Sequence, residues 1–153
     1  MSKLPNAPLV EVIFELRWKV DKNDELVKCQ YLHGDLFAKV KETYTYREAL
    51  IASDMPLEFC RNLPTHRFRV AKDEYPLIQI GPGVMTVNTI DSKYIWEDYE
   101  TQIINTTKNL IDDVYKFRPE QNITLILQYF DILEFSFSEE DVYSFLSDNL
   151  NIS

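Results

Sequence analysis

The chain has 153 residues, 45% of them apolar and 13% aromatic, enough to bury one sizeable core and within the usual single-domain range. Its net charge of −9 is lopsided: residues 1–72 carry 12 basic and 10 acidic side chains, residues 73–153 carry 4 and 15, and no basic residue follows Arg118. Such a surface repels phosphate backbones, which argues against direct nucleic-acid binding, and no run of about 18 apolar residues offers a membrane span.

With 3 glycines and 7 prolines, nothing reads as a flexible linker. The opening MSKLPNAP lacks the apolar run of about 7 to 15 residues that a secretory signal requires. The expectation is a single cytoplasmic domain over residues 1–153, with Cys29 and Cys60 reduced and unpaired.

From Pro8 to Val20 the chain alternates at period two. Val10, Val12, Phe14, Leu16, Trp18 and Val20 share one face, and Glu11, Ile13, Glu15, Arg17 and Lys19 share the other, as in a half-buried strand. Asp24 is placed as an N-cap, and the spacing of Leu26, Cys29, Leu36, Val40 and Tyr44, with Phe37 beside them and His33 on the same stripe, predicts a helix to about Tyr44. Gly34 in its middle weakens an unbroken helix.

Residues 45–64 read as a wrapping loop with room for a helical turn or an edge strand. HRFRVAK (66–72), LIQI (77–80) and VMTVNTI (84–90) read as an antiparallel meander, with Gly81-Pro82-Gly83 as a turn whose glycines accept positive φ. Asp91 or Ser92 then caps a helix to about Phe117, with Trp96, Tyr99, Ile103, Leu110, Val114 and Phe117 as its buried stripe. ITLILQYFDILEF (123–135) is apolar on both faces and predicts a covered, central strand. Ser138 with Asp141 resembles a capping box opening a short last helix whose Val142, Phe145, Leu146 and Leu150 face inward.

The predicted class is α+β. Two long helices cover one face of an antiparallel sheet, in the split βαβ (ferredoxin-like) order β-α-β-β-(β)-α-β plus a short C-terminal helix, with the first and last strands as central neighbours.

The blocks LPNAPLVEVIFELRW, LIQIGPGVMTVN, WEDYETQI and LILQYFDIL, in this order and at these spacings, resemble a sporadically distributed family of uncharacterised prokaryotic proteins. Members of that family are longer, so the resemblance implies the N-terminal part of a longer protein and a missing C-terminal half. It brings no activity with it. Lys93 stands where the family has an aromatic, and Gln128 and Asp131 replace basic positions of its late strand, which weakens any anion-binding role there.

Motif chemistry is sparse. His33 and His66 form no HxxxH, and no CxxC or zinc-ligand spacing accompanies them. Each reads as a structural histidine satisfied by a partner. Cys60 precedes Arg61, which would lower its pKa, but an ordinary thiol is the simpler reading. GPG lacks the Gly-Lys-Ser/Thr of a phosphate loop.

Glu11 and Glu15 share a strand face roughly 13 Å apart, too far for a retaining carboxylate pair, though with Asp131 on a neighbouring strand they would make an acidic cluster able to hold a divalent cation. Arg67 and Arg69 share a face and would clamp a carboxylate or phosphate; their expected partners are Glu11, Glu15 or Glu134 of the same sheet. This set, Arg67, Arg69, Glu11, Glu15 and Asp131, is the candidate anion or ion-pair cluster, with no cofactor assigned.

The functional expectation is a non-enzymatic interaction or scaffold module that binds a protein partner or itself. It is motivated by the acidic second half and the surplus aromatics Tyr129, Phe130, Phe135 and Phe137. The alternative is part of a hydrolase or transferase whose metal or phosphate site is completed elsewhere.

Overall fold

The first alternating segment becomes the longest strand of a six-stranded antiparallel sheet, in a computed structural model that describes residues 9–131. The strands are β1 (Leu9–Trp18), β2 (Tyr46–Ala49), β3 (His66–Arg69), β4 (Leu77–Gly81), β5 (Val84–Ile90) and β6 (Ile123–Asp131). Across the sheet they run β2-β3-β4-β5-β1-β6. The helices are α1 (Asn23–Lys28), α2 (Leu32–Val40) and α3 (Trp96–Lys108). The capping box at Ser138, the helix expected after it, Glu134, Phe135 and Phe137 lie outside the described residues.

Period two decides which way β1 faces. Val12, Phe14, Leu16 and Trp18 are buried beneath the helices, each burial worth about 1.5 to 3 kcal/mol, while Glu11, Ile13, Glu15 and Arg17 line the opposite face, which is helix-free among the described residues. The register carries that division across the sheet, pairing Glu15 with Thr86, Gln79 with Thr86, Arg67 with Gln79, and Glu48 with Arg67. The core gathers Trp18, Leu36, Phe68, Ile78, Ile80, Met85, Val87, Leu110 and Tyr115, with Trp18 and Tyr115 rings 5.2 Å apart.

The single helix expected over residues 24–44 is two, and Gly34 is not the break. Cys29 N–H and Gln30 N–H donate to Leu26 and Val27 carbonyls three residues back, so the chain tightens between α1 and α2. Tightening keeps Leu26, Cys29 and Leu32 on the sheet side before the ordinary spacing resumes at Leu36 and Val40. Residues 45–64 supply the short edge strand β2 and two 3₁₀ turns.

Asp91 to Lys93 form a 3₁₀ turn rather than a cap, and α3 starts at Trp96 with no side-chain cap. It ends in a wide π turn, Asn109–Val114, where Tyr115 N–H donates to Leu110 carbonyl. The extra residue turns Tyr115 into the core against Trp18 and Phe117. Of the two turn glycines only Gly83 has positive φ, at 85°; Gly81 is needed because a Cβ there would overlap the Leu63 carbonyl.

One expectation is overturned among the described residues. β6 neighbours β1 as anticipated, but there it is an edge strand and not a covered central one. Among the described residues, α2 packs on β4 and α3 on β5, so their helical layer lies over the middle of the sheet. Leu125, Leu127 and Tyr129 on the helix side and Phe130 on the other are exposed.

Candidate functional site

The helix-free face carries four of the five candidate cluster residues and joins three of them, Arg67, Arg69 and Glu11, in one polar track, but the pairings differ from those expected. Arg69 Nε donates to Glu48 Oε1 at 2.6 Å, and Arg67 Nη1 lies 3.8 Å from Glu48 Oε2. Arg67 also sends Nε and Nη2 to Gln79 Oε1, at 3.1 and 2.9 Å. The arginine partners are thus Glu48 and Gln79, not Glu11 or Glu15.

From Gln79 the track continues through Thr86 (3.2 Å) and Asn88 (2.7 Å) to Glu11 Oε2 (3.3 Å). Tyr75 donates to Glu11 Oε1 at 3.3 Å, and its ring lies 5.5 Å from the Arg69 guanidinium, which closes the circuit. Two carboxylates balance two guanidinium groups around this ring. An incoming anion must displace Glu48 or Gln79 to be clamped, and a cation must compete with both arginines.

Glu15 stands apart from the ring, held by Arg17 Nε at 2.6 Å and Nη2 at 3.2 Å. Asp131 ends β6 opposite Leu9, at the far end of the strand from Glu15's partner Ile126, so the register does not bring it to Glu15. Among the described residues there is no group of three or more His, Cys, Asp or Glu able to hold a metal ion.

Sequence reasoning missed a second cluster. His33 on α2 and His66 at the start of β3 stack face to face, with ring centroids 3.7 Å apart and planes 6° from parallel. Thr65 Oγ1 lies 2.9 Å from His66 Nδ1, while His33 Nδ1 is buried without a hydrogen-bond partner among the described residues. The pair lines a cavity of about 110 Å³ with Ser53, Cys60 and Thr65. Burial, the facing ring and the Arg47 guanidinium push His66 down to about 4; burial and Arg47 push His33 down too.

Neutral stacked rings, whose lone pairs lie in two parallel planes 3.7 Å apart at the centroids, are poorly placed to converge on one ion. The Cys60 thiol donates to the Ala52 carbonyl at 3.0 Å, and burial raises its pKa. Arg61, expected to lower it, instead donates to the carbonyls of Val20 (2.7 Å) and Glu58 (2.9 Å). The cavity, which Cys29 also lines, therefore holds two thiols raised by burial and two neutral imidazoles, with no activated nucleophile among the described residues.

The third feature is the β6 edge. β2, the opposite edge, is four residues long and carries Arg47 and the ion-paired Glu48, so it is short and charged. β6 spans nine residues, ITLILQYFD, whose one ionisable carboxyl is its last residue. It has no proline, no lysine and no neighbour on its outer side among the described residues. In an antiparallel ladder about half the backbone N–H and C=O groups of such a strand point away from its one partner. No helix among the described residues is long and apolar enough to cross a membrane. Comparison with protein-family models, with curated proteins and with solved structures finds no match for this chain.

Proposed function

We propose that this chain is a non-enzymatic, cytoplasmic protein-interaction module of a prokaryotic protein, which engages its partner by adding a strand to the β6 edge. One observation carries the reading: a nine-residue, nearly uncharged strand with exposed Leu125, Leu127, Tyr129 and Phe130 has no outer neighbour among the described residues, whereas the opposite edge is short and charged. Strand addition gains affinity from main-chain hydrogen bonds and selectivity from alternate side chains. The scaffold is inferred to be a ferredoxin-like split βαβ, supported by the order β6-β1-β5-β4, with β2 and β3 widening it. A hydrolase or transferase using Arg67 and Arg69 on a phosphate would first have to free them from Glu48 and Gln79.

A photo-reactive residue at Gln128, on the helix-free face of β6, tests the reading in the source cells. A discrete intermolecular adduct is expected, lost in Leu127→Lys and absent when the probe replaces Asp98 on α3. Intramolecular products alone would refute it.

A further inference from the structure

Resting on the strand-addition reading, the geometry points to a second copy of this chain as the partner: we propose an antiparallel β6–β6 pairing about a two-fold axis at Leu127, joining two six-stranded sheets into one of twelve.

The occupant must be a strand. A helix satisfies its own backbone and cannot hydrogen-bond an edge, so a helix of the kind the sequence pattern from Ser138 onward leads one to expect would not complete the ladder. The residues next in sequence, ILEFSF (132–137), include no glycine, proline or asparagine to favour a tight turn straight back along β6. At the other end MSKLPNAP carries Pro5 and Pro8, neither able to donate a ladder bond. The remaining described strands are already inside the sheet.

β6 fits itself. Leu127 is its middle residue, so a two-fold there keeps all nine residues paired. It sets Leu127 against Leu127, Leu125 against Tyr129 of the other copy, and Thr124 against Phe130. Each pair joins side chains of the same face, because an axis perpendicular to the sheet preserves faces. The two Asp131 residues fall at opposite ends, roughly 27 Å apart by strand rise. Local charge therefore does not oppose the pairing.

Long-range charge does oppose it, because each copy carries −9. Association should tighten as salt rises, opposite to capture of a basic protein, which salt weakens. The paired strands and four exposed side chains cover less than the roughly 800 Å² per partner of a standard interface, so a micromolar dimer is the expectation.

Sedimentation and amide hydrogen exchange on the purified 153-residue chain, across about a hundredfold range of concentration around the micromolar, test it. The expected result is a monomer–dimer equilibrium that tightens with salt, with the β6 amides that do not bond β1 slowing in exchange only where dimer forms. Leu127→Lys sets two ammonium groups face to face and should weaken dimerisation about tenfold or more. Because that variant could misfold, Leu127→Cys provides an independent reading: paired Cα atoms about 4.5 to 5.5 Å apart lie within disulfide range, so oxidised glutathione should yield a covalent dimer that the wild type, with its two buried thiols, does not form.

Free exchange, at every concentration, of the β6 amides that do not bond β1, in a chain that stays monomeric, overturns the dimer and leaves the open-edge reading standing. Protection of those outward amides in the monomer overturns both, since the chain then pairs its own edge. A dimer that Leu127→Lys leaves intact, and that Leu127→Cys does not cross-link, lies elsewhere and also overturns the proposal.

Discussion

The stacked histidines make stability depend on pH in a direction that can be worked out. Protonating either ring sets a cation against the face of its neighbour 3.7 Å away and close to the Arg47 guanidinium. His66 titrates at about 4 in the folded chain against an ordinary 6.5, and His33 is shifted in the same direction. Between those two values the unfolded chain binds more protons, so stability rises with pH through the window. The contribution is complete above about pH 6.5 and is lost as pH falls from there through 4. Taken whole, the His66 shift corresponds to about 3 kcal/mol. The pair is only half-buried, and solvent screening reduces this to about 1 to 2 kcal/mol. Urea unfolding at intervals between pH 7.5 and pH 4 measures it, with His66→Gln as reference: the difference in stability between wild type and variant should shrink by that amount on acidification. Both imidazole resonances are separable by NMR because the chain has 2 histidines. Two ordinary titrations near 6.5 would refute the reasoning.

Glu48→Gln should cost about 1 to 3 kcal/mol, since it leaves Arg67 and Arg69 without their carboxylate; the same variant should gain a phosphate-dependent rise in melting temperature that the wild type lacks. Gly81→Ala drives a Cβ into the Leu63 carbonyl and should lose about 1 to 3 kcal/mol in urea titration. Gly34→Ala, with open space around its Cβ inside α2, should instead gain about 0.5 to 1 kcal/mol. Burial raises both thiols, Cys29 to about 11, so neither should react with an aromatic disulfide reagent at neutral pH until the chain unfolds, when both should.

Where the sequence could be read, a single physical constraint controlled the pattern. β1 and the meander were legible because one sheet face is packed and the other is polar, so period two survives in Val12, Phe14, Leu16 and Trp18. The helix break was not legible, because Leu26, Cys29 and Leu32 fit a tightened turn about as well as an α-helical stripe. Arg67 and Arg69 could be put on one face from their spacing alone, but choosing Glu48 over Glu11 as their partner depended on a four-residue strand with too few positions to show a period. The histidine stack had no local signal, since it exists only where α2 crosses β3.

β6 exposes the ambiguity most sharply. A strand apolar on both faces is the usual mark of cover on both sides, yet among the described residues Leu125, Leu127, Tyr129 and Phe130 stay exposed. The pattern records what the strand is built to contact, whether or not that contact comes from the described residues. On the helix-free face the polar circuit ends at Glu11 on β1, and beyond it β6 presents Ile126 and Phe130 around Gln128. With β6 paired to a second copy, the two Phe130 rings lie across the joint on the same face, each beside the other copy's Thr124. The polar circuits remain separate, one on each side of that apolar seam. A substitution in the circuit, such as Glu48→Gln, should therefore leave dimerisation unchanged within about twofold, because sites that far apart without shared partners contribute independently. Phe130→Ser should weaken dimerisation without altering the stability cost of Glu48→Gln. If the two substitutions are strongly coupled in sedimentation, the seam and the circuit are one surface, and β6 does not act as a self-contained edge.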